Sequence, residues 1–302
     1  TYPTAVRPQA KDIVRTWLYY TLLRCENLTG KKPWSEAWIM GYGLDEKGMK
    51  MSKSKGNALD PLPIIEKFGA DTFRFWSASE VGHGNDFRCS EQKIESTKKF
   101  LTKLWNISRF LSSFPIIESG NPTDTDIWIL AELEKLVEEC KEGYSMYNFF
   151  LPSIAIREFT WNLFASNYIE MAKARAYGIG FPDEERDAAI YTLHKVLKTV
   201  LRLLAPITPF ITEFLWEALY SKESIHKEKR PKALSDTSAD INKDLERVNA
   251  KRADTQPIID FNSNVWNEKK AKGLHLPDSI KIDVPKSLEK FKKDLVAMHH
   301  LE

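Results

Sequence analysis

The pattern of apolar and polar positions changes character along the chain, with the change falling at about residues 90–96. Before it, two periods alternate. From Asp12 to Arg24, the residues Ile13, Trp17, Tyr20 and Leu23 recur at helical spacing, which predicts a helix with one apolar stripe. Ala37 to Met40 is a short apolar run leading into Gly41 and Gly43, which predicts a strand opening into a loop. That loop runs to Asn57. Asp60-Pro61 then caps a helix ending at Gly69, and Ala70 to Ser79 begins another. In α/β folds, a loop between a strand and a helix is where ligand chemistry is placed.

After Ser96 the period is helical almost throughout. Ser96–Leu111, Asp126–Cys140, Ile154–Ala176, Asp183–Leu204 and Pro209–Leu219 each repeat apolar residues at spacings of three and four, which predicts a helix bundle. Pro206 and Pro209 divide what would otherwise be one very long helix, because proline has no amide donor and its ring obstructs the preceding turn. Residues 221–241 are polar and charged, and read as a linker or exposed loop. The remainder reads as a helix, an alternating strand from Ile280 to Val284, and a helix from Lys286 to His299. The expected fold is mainly α with an α/β part. Its expected divisions are 1–92 (α/β), 93–222 (helical), 223–243 (linker) and 244–302 (a small α/β appendage).

Composition narrows the class of protein. With 302 residues, 42% of them hydrophobic and 12% aromatic, the chain can bury a real core. Its 44 basic and 42 acidic residues nearly cancel, so attraction to a polyanion must come from local patches. Cys25, Cys89 and Cys140 are odd in number and widely spaced, which suggests a reducing compartment, no disulfide framework and no structural metal. No apolar run approaches the roughly 20 residues that span a bilayer. The chain opens on Thr1 and closes on Leu301-Glu302, which together read as the ends of an excised segment.

Two features carry candidate chemistry. The first is Lys50-Met51-Ser52-Lys53-Ser54, followed by Lys55-Gly56-Asn57. Three lysines within six residues, among hydroxyls and a glycine, make a cationic loop able to fold over a phosphate chain. If pyrophosphate departs, ammonium groups that hold it better in the transition state than in the ground state lower the barrier, and Ser52 and Ser54 can add hydrogen bonds. The same composition also suits a solvated basic turn.

The second feature lies between Ser96 and Pro115, where Lys98, Lys99, Lys103 and Arg109 have no acidic residue among them. On a helical wheel, Phe100, Leu101, Leu104, Trp105, Ser108 and Leu111 gather on one side as the core stripe. Phe110 falls outside it, with Lys99, Lys103 and Asn106, a combination suited to stacking an unpaired base beside phosphates. The alternative is that Phe110 tucks under the following loop.

The lysine loop resembles the Lys-Met-Ser-Lys-Ser signature of class I aminoacyl-tRNA synthetases at all five positions, and the flanking GMKMSKSKGN and DPLPIIEKFGADTFRFW resemble it too. Within that class, RPQAKDIVRTW, GHGNDFRCSE and KLWNISRF resemble the valine branch, above all its archaeal type, with the isoleucine and leucine branches as alternatives. The resemblance covers nearly the whole chain, tightly from Arg7 to Phe110 and thinly after about residue 221. It implies that 1–92 is the second half of a Rossmann-like catalytic domain and that 93–222 binds the anticodon.

The resemblance also implies roles. Lys50 and Lys53 would stabilise the triphosphate and the departing pyrophosphate. Gly41, Met51, Ser52 and Ser54 would line the ATP site, with Met51 and its neighbours holding adenine through their backbone. Gln9 and Asp12 would line the adenylate pocket, although an Asp at a helix start is more often only a cap. Arg88, Lys99, Lys103, Asn106, Arg109 and Phe110 would contact tRNA, with a salt bridge as the alternative for Arg88. Lys269, Lys270 and Lys272 could touch tRNA or simply be solvated. Implied partners are ATP with magnesium, valine and tRNA for valine, for a cytoplasmic monomer with no membrane contact. The His-Ile-Gly-His-like element of the class is absent from these residues, since His83-Gly84 lies downstream of the lysine loop. The segment by itself is therefore expected not to activate an amino acid.

Overall fold

A computed structural model describes residues 2–233 and 249–302. The chain divides into two compact units, Thr1–Leu101 with Glu142–Ile154, and Thr102–Lys141 with Ala155–Glu302.

In the first unit, strand β1 (Thr4–Ala10) is followed by a 3-10 turn, a π-helical turn and helix α1 (Tyr19–Thr29), and the chain returns as β2 (Trp34–Met40). The two strands pair in parallel with Thr4 opposite Trp34 and Ala10 opposite Met40. A parallel pair needs a crossover, and α1 supplies it. The apolar stripe expected here forms but stays largely open to water, with the Arg7 guanidinium 3.9 Å over the Trp17 ring. Trp17, Tyr20 and Leu23 are exposed, and α1 has no buried residue. Beyond β2 comes a short strand β3 (Gly43–Leu44), the lysine loop, α2 (Pro61–Phe68), α3 (Ala70–Glu80) and β4 (Phe87–Arg88), which pairs with β3 in parallel. Asp60 caps α2 by accepting the Leu62 amide at 3.0 Å, with Pro61 in the first turn and Gly69 ending the helix. Ile64, Phe68, Trp76, Cys89 and Ile94 form the core under this loop.

Helix α4 (Glu91–Leu111) begins in the first unit and ends in the second; α5 (Asp124–Ser145) and α6 (Phe150–Glu158) also cross the division. In the second unit, α6 continues through a π-helical stretch, Phe159–Tyr168, into α7 (Ile169–Ala176). Helices α8 (Asp183–Leu204) and α9 (Pro209–Leu219) follow, separated at the two prolines as expected. Then come α10 (Thr255–Ala271) and α11 (Lys292–His299). Phe164, Tyr168, Val196, Val200 and Leu204 are fully buried.

The alternating segment 280–284 forms no strand. A single parallel bridge joins Ile280 to Leu301, because no second extended segment lies beside it among the described residues. Glu302 also donates its amide to the Ile280 carbonyl at 3.1 Å, so the last two residues are part of the packing. In the polar run 221–241, Ile225 and Ala233 are buried; residues 234–248 lie outside the described residues.

The C-terminal helix is tied into this unit by buried polar groups. Arg175 on α7 is 1% exposed and lies between Asp126 of α5 and Asp294 of α11, at 2.8 Å from each. The Tyr168 hydroxyl donates to Asp126 at 2.6 Å, and Thr125 donates to Asp294. Nearby, buried His299 pairs its Nε2 with Asn262 Oδ1 at 2.8 Å, and Asn262 donates to Asn167 at 2.8 Å.

Arg175→Met is expected to destabilise the second unit by about 3–5 kcal/mol in urea unfolding, because it strands two buried carboxylates without a counter-charge. Arg186→Ala, which breaks exposed pairs with Asp183 and Asp187, should cost less than about 1 kcal/mol. Burial, helped by the charge of Lys269, holds the His299 pKa down from 6.5 to about 4. Its neutral form therefore contributes stability that is present above pH 6.5 and lost as pH falls toward 4, on the order of 3 kcal/mol. His299→Gln should flatten that part of the acid dependence of the urea midpoint.

Candidate active-site loop and RNA-facing helix

Strands β1 and β2 end side by side, and the chain leaving each one supplies site residues. From β1 come Lys11 and Asp12; from β2 come Gly41 and Tyr42. Gly41 is required by contact, since a Cβ there would lie 1.9 Å from the Asn85 carbonyl oxygen. At Gly43 a Cβ would lie 2.6 Å from the Met51 methyl, the movable end of a flexible side chain. From β3 the chain makes a tight reversal, closed by hydrogen bonds from the Asp45 amide to the Met49 carbonyl and from the Met51 amide to the Gly43 carbonyl.

Asn57 fastens the base of the lysine loop. Its amide donates to Asp45 Oδ2 at 2.9 Å and to the Lys50 carbonyl at 3.3 Å, and its oxygen accepts the Ser52 amide at 2.9 Å. Asp45 in turn accepts the Lys47 and Met49 amides. These bonds, that from Asn57 foremost, hold the Asp45 carboxyl below its usual range. Met51 packs its side chain against the core of Ile64, Phe68 and Trp76. Past it, Ser52 caps a 3-10 turn at Lys53–Lys55 by accepting the Lys55 amide, and its hydroxyl lies 3.2 Å from that of Ser54. The loop has a fixed base and an exposed tip.

The two signature lysines are placed differently. Lys50 Nζ pairs with Asp12 Oδ2 at 2.8 Å and sits 3.9 Å above the Tyr42 ring. This pairing lowers the Asp12 pKa and raises that of Lys50. Asp12 also accepts backbone hydrogen bonds from its own amide and that of Ile13, so it meets both the lysine and the start of the helical turn. Lys53 is exposed and has no partner among the described residues. Gln9 on β1 is only 4% exposed, and neither of its amide atoms has a hydrogen-bond partner among the described residues. Arg88 makes no ion pair among them either; its guanidinium lies against Gly48.

Sequence reasoning missed a second ion pair in this cluster. Lys11 Nζ pairs with Asp86 Oδ1 at 2.6 Å and lies 4.4 Å from the Tyr42 ring. Asp86 also accepts the Tyr42 amide at 2.7 Å, so its pKa is lowered, chiefly by Lys11. Tyr42 thus has a cation on each of two approaches. The available signal was the placement of Tyr42 between Gly41 and Gly43. Nothing in the spacing could join positions 11 and 86.

On α4, Lys103, Asn106, Arg109 and Phe110 fall in the second unit, and Lys99 lies on the exposed side of the earlier turns. Phe110 is half-buried. It meets Phe114 and Tyr177 edge-on at 5.2 and 6.2 Å, with Lys173 Nζ 5.8 Å from its ring. It therefore borders an aromatic cluster instead of standing alone among cations. Lys103 lies 5.8 Å from the ring of Trp161, which is half-buried; Phe164, Tyr168 and Trp216 are buried. Trp105, expected in the core stripe, is exposed, and Ile107 is buried in its stead. Lys269 is also misplaced as a tRNA contact, because it is buried and donates to the Leu276 carbonyl at 2.6 Å.

A model of "tRNA synthetases class I (I, L, M and V)" matches residues 1–90, and one of the "Anticodon-binding domain of tRNA ligase" matches 126–275. The fold is shared with a solved leucyl enzyme of Agrobacterium radiobacter, crystallised as a ternary complex with tRNA, at a TM-score of 0.60 and 22% identity over 80% of this chain and 29% of that one. The chain belongs to the class I aminoacyl-tRNA synthetases. Within that class it is 40% identical to the valine–tRNA ligase of Aeropyrum pernix over 97% of its own length, and 39% identical to that of Nanoarchaeum equitans over 98%. A third valine–tRNA ligase, from Methanothrix thermoacetophila, is 42% identical over 78% of this chain. The chain spans 36% and 37% of the first two relatives.

Removing the Asn57 side chain (Asn57→Ala) should release the loop. Losing hydrogen bonds worth about 1 kcal/mol each predicts roughly 5- to 100-fold faster tryptic cleavage at Lys53 and Lys55 under native conditions. Cleavage elsewhere in the chain should be unchanged.

Proposed function

We propose that the protein carrying this segment is a valine–tRNA ligase. It joins valine to ATP as valyl-adenylate with release of pyrophosphate, and then transfers the valyl group to the 3′-terminal adenosine of tRNA. The observation that carries this reading is the Lys50–Asp12 pair, 2.8 Å long, at the adjoining ends of two parallel strands, with Lys53 free on the loop above. The ends of parallel strands are where α/β folds hold nucleotides. A cation fixed there and a second on a movable tip can meet a phosphate chain in sequence. Lys50 then contributes a positioned charge, while Lys53 adds a contact that strengthens as pyrophosphate departs.

The remaining site residues take roles consistent with their surroundings. Gln9, buried with its amide unsatisfied, has hydrogen-bonding capacity for the adenylate, and Asp12 can exchange Lys50 for a ribose hydroxyl or an amino group. Gly41 lets the Asn85–Asp86 backbone close against the strand end beside the nucleotide site, and the Met51 side chain, by anchoring in the core, holds its own backbone and that of Ser52 in place, with Ser54 at the tip. Magnesium would arrive with the phosphates of ATP. Lys99, Lys103, Asn106, Arg109, Phe110 and Arg88 are the proposed tRNA contacts. Valine specificity rests on the names of the relatives. Three free cysteines fit a cytoplasmic setting, and action as a monomer is part of the same proposal.

The test is valine-dependent exchange of pyrophosphate into ATP by the longer enzyme. Lys53→Ala should lower kcat by roughly a hundredfold, the scale of losing one donor to a developing charge, and raise the KM for ATP far less. Equal losses in both would mean that the loop only binds. Exchange driven by isoleucine or leucine in place of valine would overturn the specificity.

A further inference from the structure

Trp105 and Phe214 form an aromatic pair in the second unit that the helical wheel did not anticipate. Their ring centroids are 5.5 Å apart at an interplanar angle of 27°, an offset stack bridging α4 and α9. The pair is not core, since Trp105 keeps 42% and Phe214 57% of its surface in water. Phe210, one turn earlier on α9, is also exposed. Packed aromatics left this open expose apolar surface that a bound flat ring would cover.

The charge around the pair selects the kind of ring. Arg109 is four residues beyond Trp105 and so shares its face of α4, and it has no ion-pair partner among the described residues. From Thr102 to Pro115 there is no acidic residue. On the α9 side, Glu217 is exposed one turn past Phe214. A chain of phosphates is therefore attracted along α4 and repelled from the far end of α9. A purely apolar protein contact would leave Arg109 unanswered, whereas RNA supplies a π-face and a negative charge together.

Resting on the tRNA-binding reading above, the geometry points to the Trp105–Phe214 pair as a second base-stacking platform, one that holds an unpaired nucleobase of tRNA while Arg109 meets the adjoining phosphate. It is separate from the Phe110 cluster. Phe110 lies five residues from Trp105 on the same helix, which is about 140° around its axis.

The test uses the 302-residue chain and an unmodified tRNA transcript with a valine anticodon, with Kd measured by anisotropy at fixed salt. Trp105→Ala and Phe214→Ala should each weaken binding roughly 5- to 150-fold, the range of aromatic–base stacking. Trp105→Tyr should restore affinity to within about twofold, and the salt slope should stay that of the parent, since no cation is lost. Thermal unfolding of each variant checks folding, and Phe214→Ala reports on the same platform from the opposite helix. If both alanine variants bind like the parent while Lys103→Ala weakens binding, the platform is wrong and the tRNA-binding reading stands. If the parent itself does not bind, both fail. If Trp105→Ala leaves RNA affinity intact but abolishes self-association on gel filtration, the pair is a protein contact and the inference is overturned.

Discussion

Arg175 is the group on which the order of the helical unit depends. A guanidinium withdrawn from water is tolerable only if its donors are met, and here Asp126 and Asp294 meet them from helices far apart in sequence. Asp126 lies in the first turn of α5, where the helix end favours a negative charge, and it also accepts from Tyr168 and Thr123. Burial pushes the Asp294 pKa up while Arg175 pulls it down. The carboxylate is therefore comfortable only with its partner in place. Such a network fixes one arrangement of α5, α7 and α11, because any slip of a helix leaves a buried charge unpaired. Apolar packing alone, here among leucines and valines, would tolerate several.

The lysine loop follows a different rule. Its base is specified as tightly as a core, by Gly41 where no side chain fits, by Asn57 joining Asp45, Lys50 and Ser52, and by Met51 in the apolar cluster. Its tip, Lys53 to Gly56, is bound mainly to itself. A rigid base fixes Lys50 beside Asp12, and the tip leaves Lys53 exposed. The surface pairs Lys50–Asp12 and Lys11–Asp86 are both solvent-exposed and worth little as stability. Their effect is positional, because they set where the two lysines stand around Tyr42.

Helix α4 shows how one amphipathic helix can present two kinds of aromatic. Phe110 borders a cluster with Phe114 and Tyr177, while Trp105 is held open by Phe214. Each ring is held by aromatic neighbours outside α4, which limits its conformational freedom.

Much of this was legible in the sequence. Helix limits set by Asp60-Pro61, Gly69 and the Pro206 and Pro209 pair follow from backbone chemistry that acts within a few residues, and the structure places α2 and α9 where those signals fall. The lysine loop was legible for the same reason, its residues being contiguous. Spacing along the chain could not say which side of a helix finds a partner. Trp105 and Ile107 compete for the core of α4, and Phe214, over a hundred positions later, leaves the tryptophan outside. Nor could it foresee that the alternating segment 280–284 lacks a neighbouring strand, that Lys269 is buried, or that Asp12 meets Lys50. The sequence determined the elements and the chemistry carried within one segment, because those forces are local. Tertiary structure alone decided the pairings of Arg175, Asp12 and Trp105, because a salt bridge or a ring stack is set by distance in space, and the chain closes that distance only on folding.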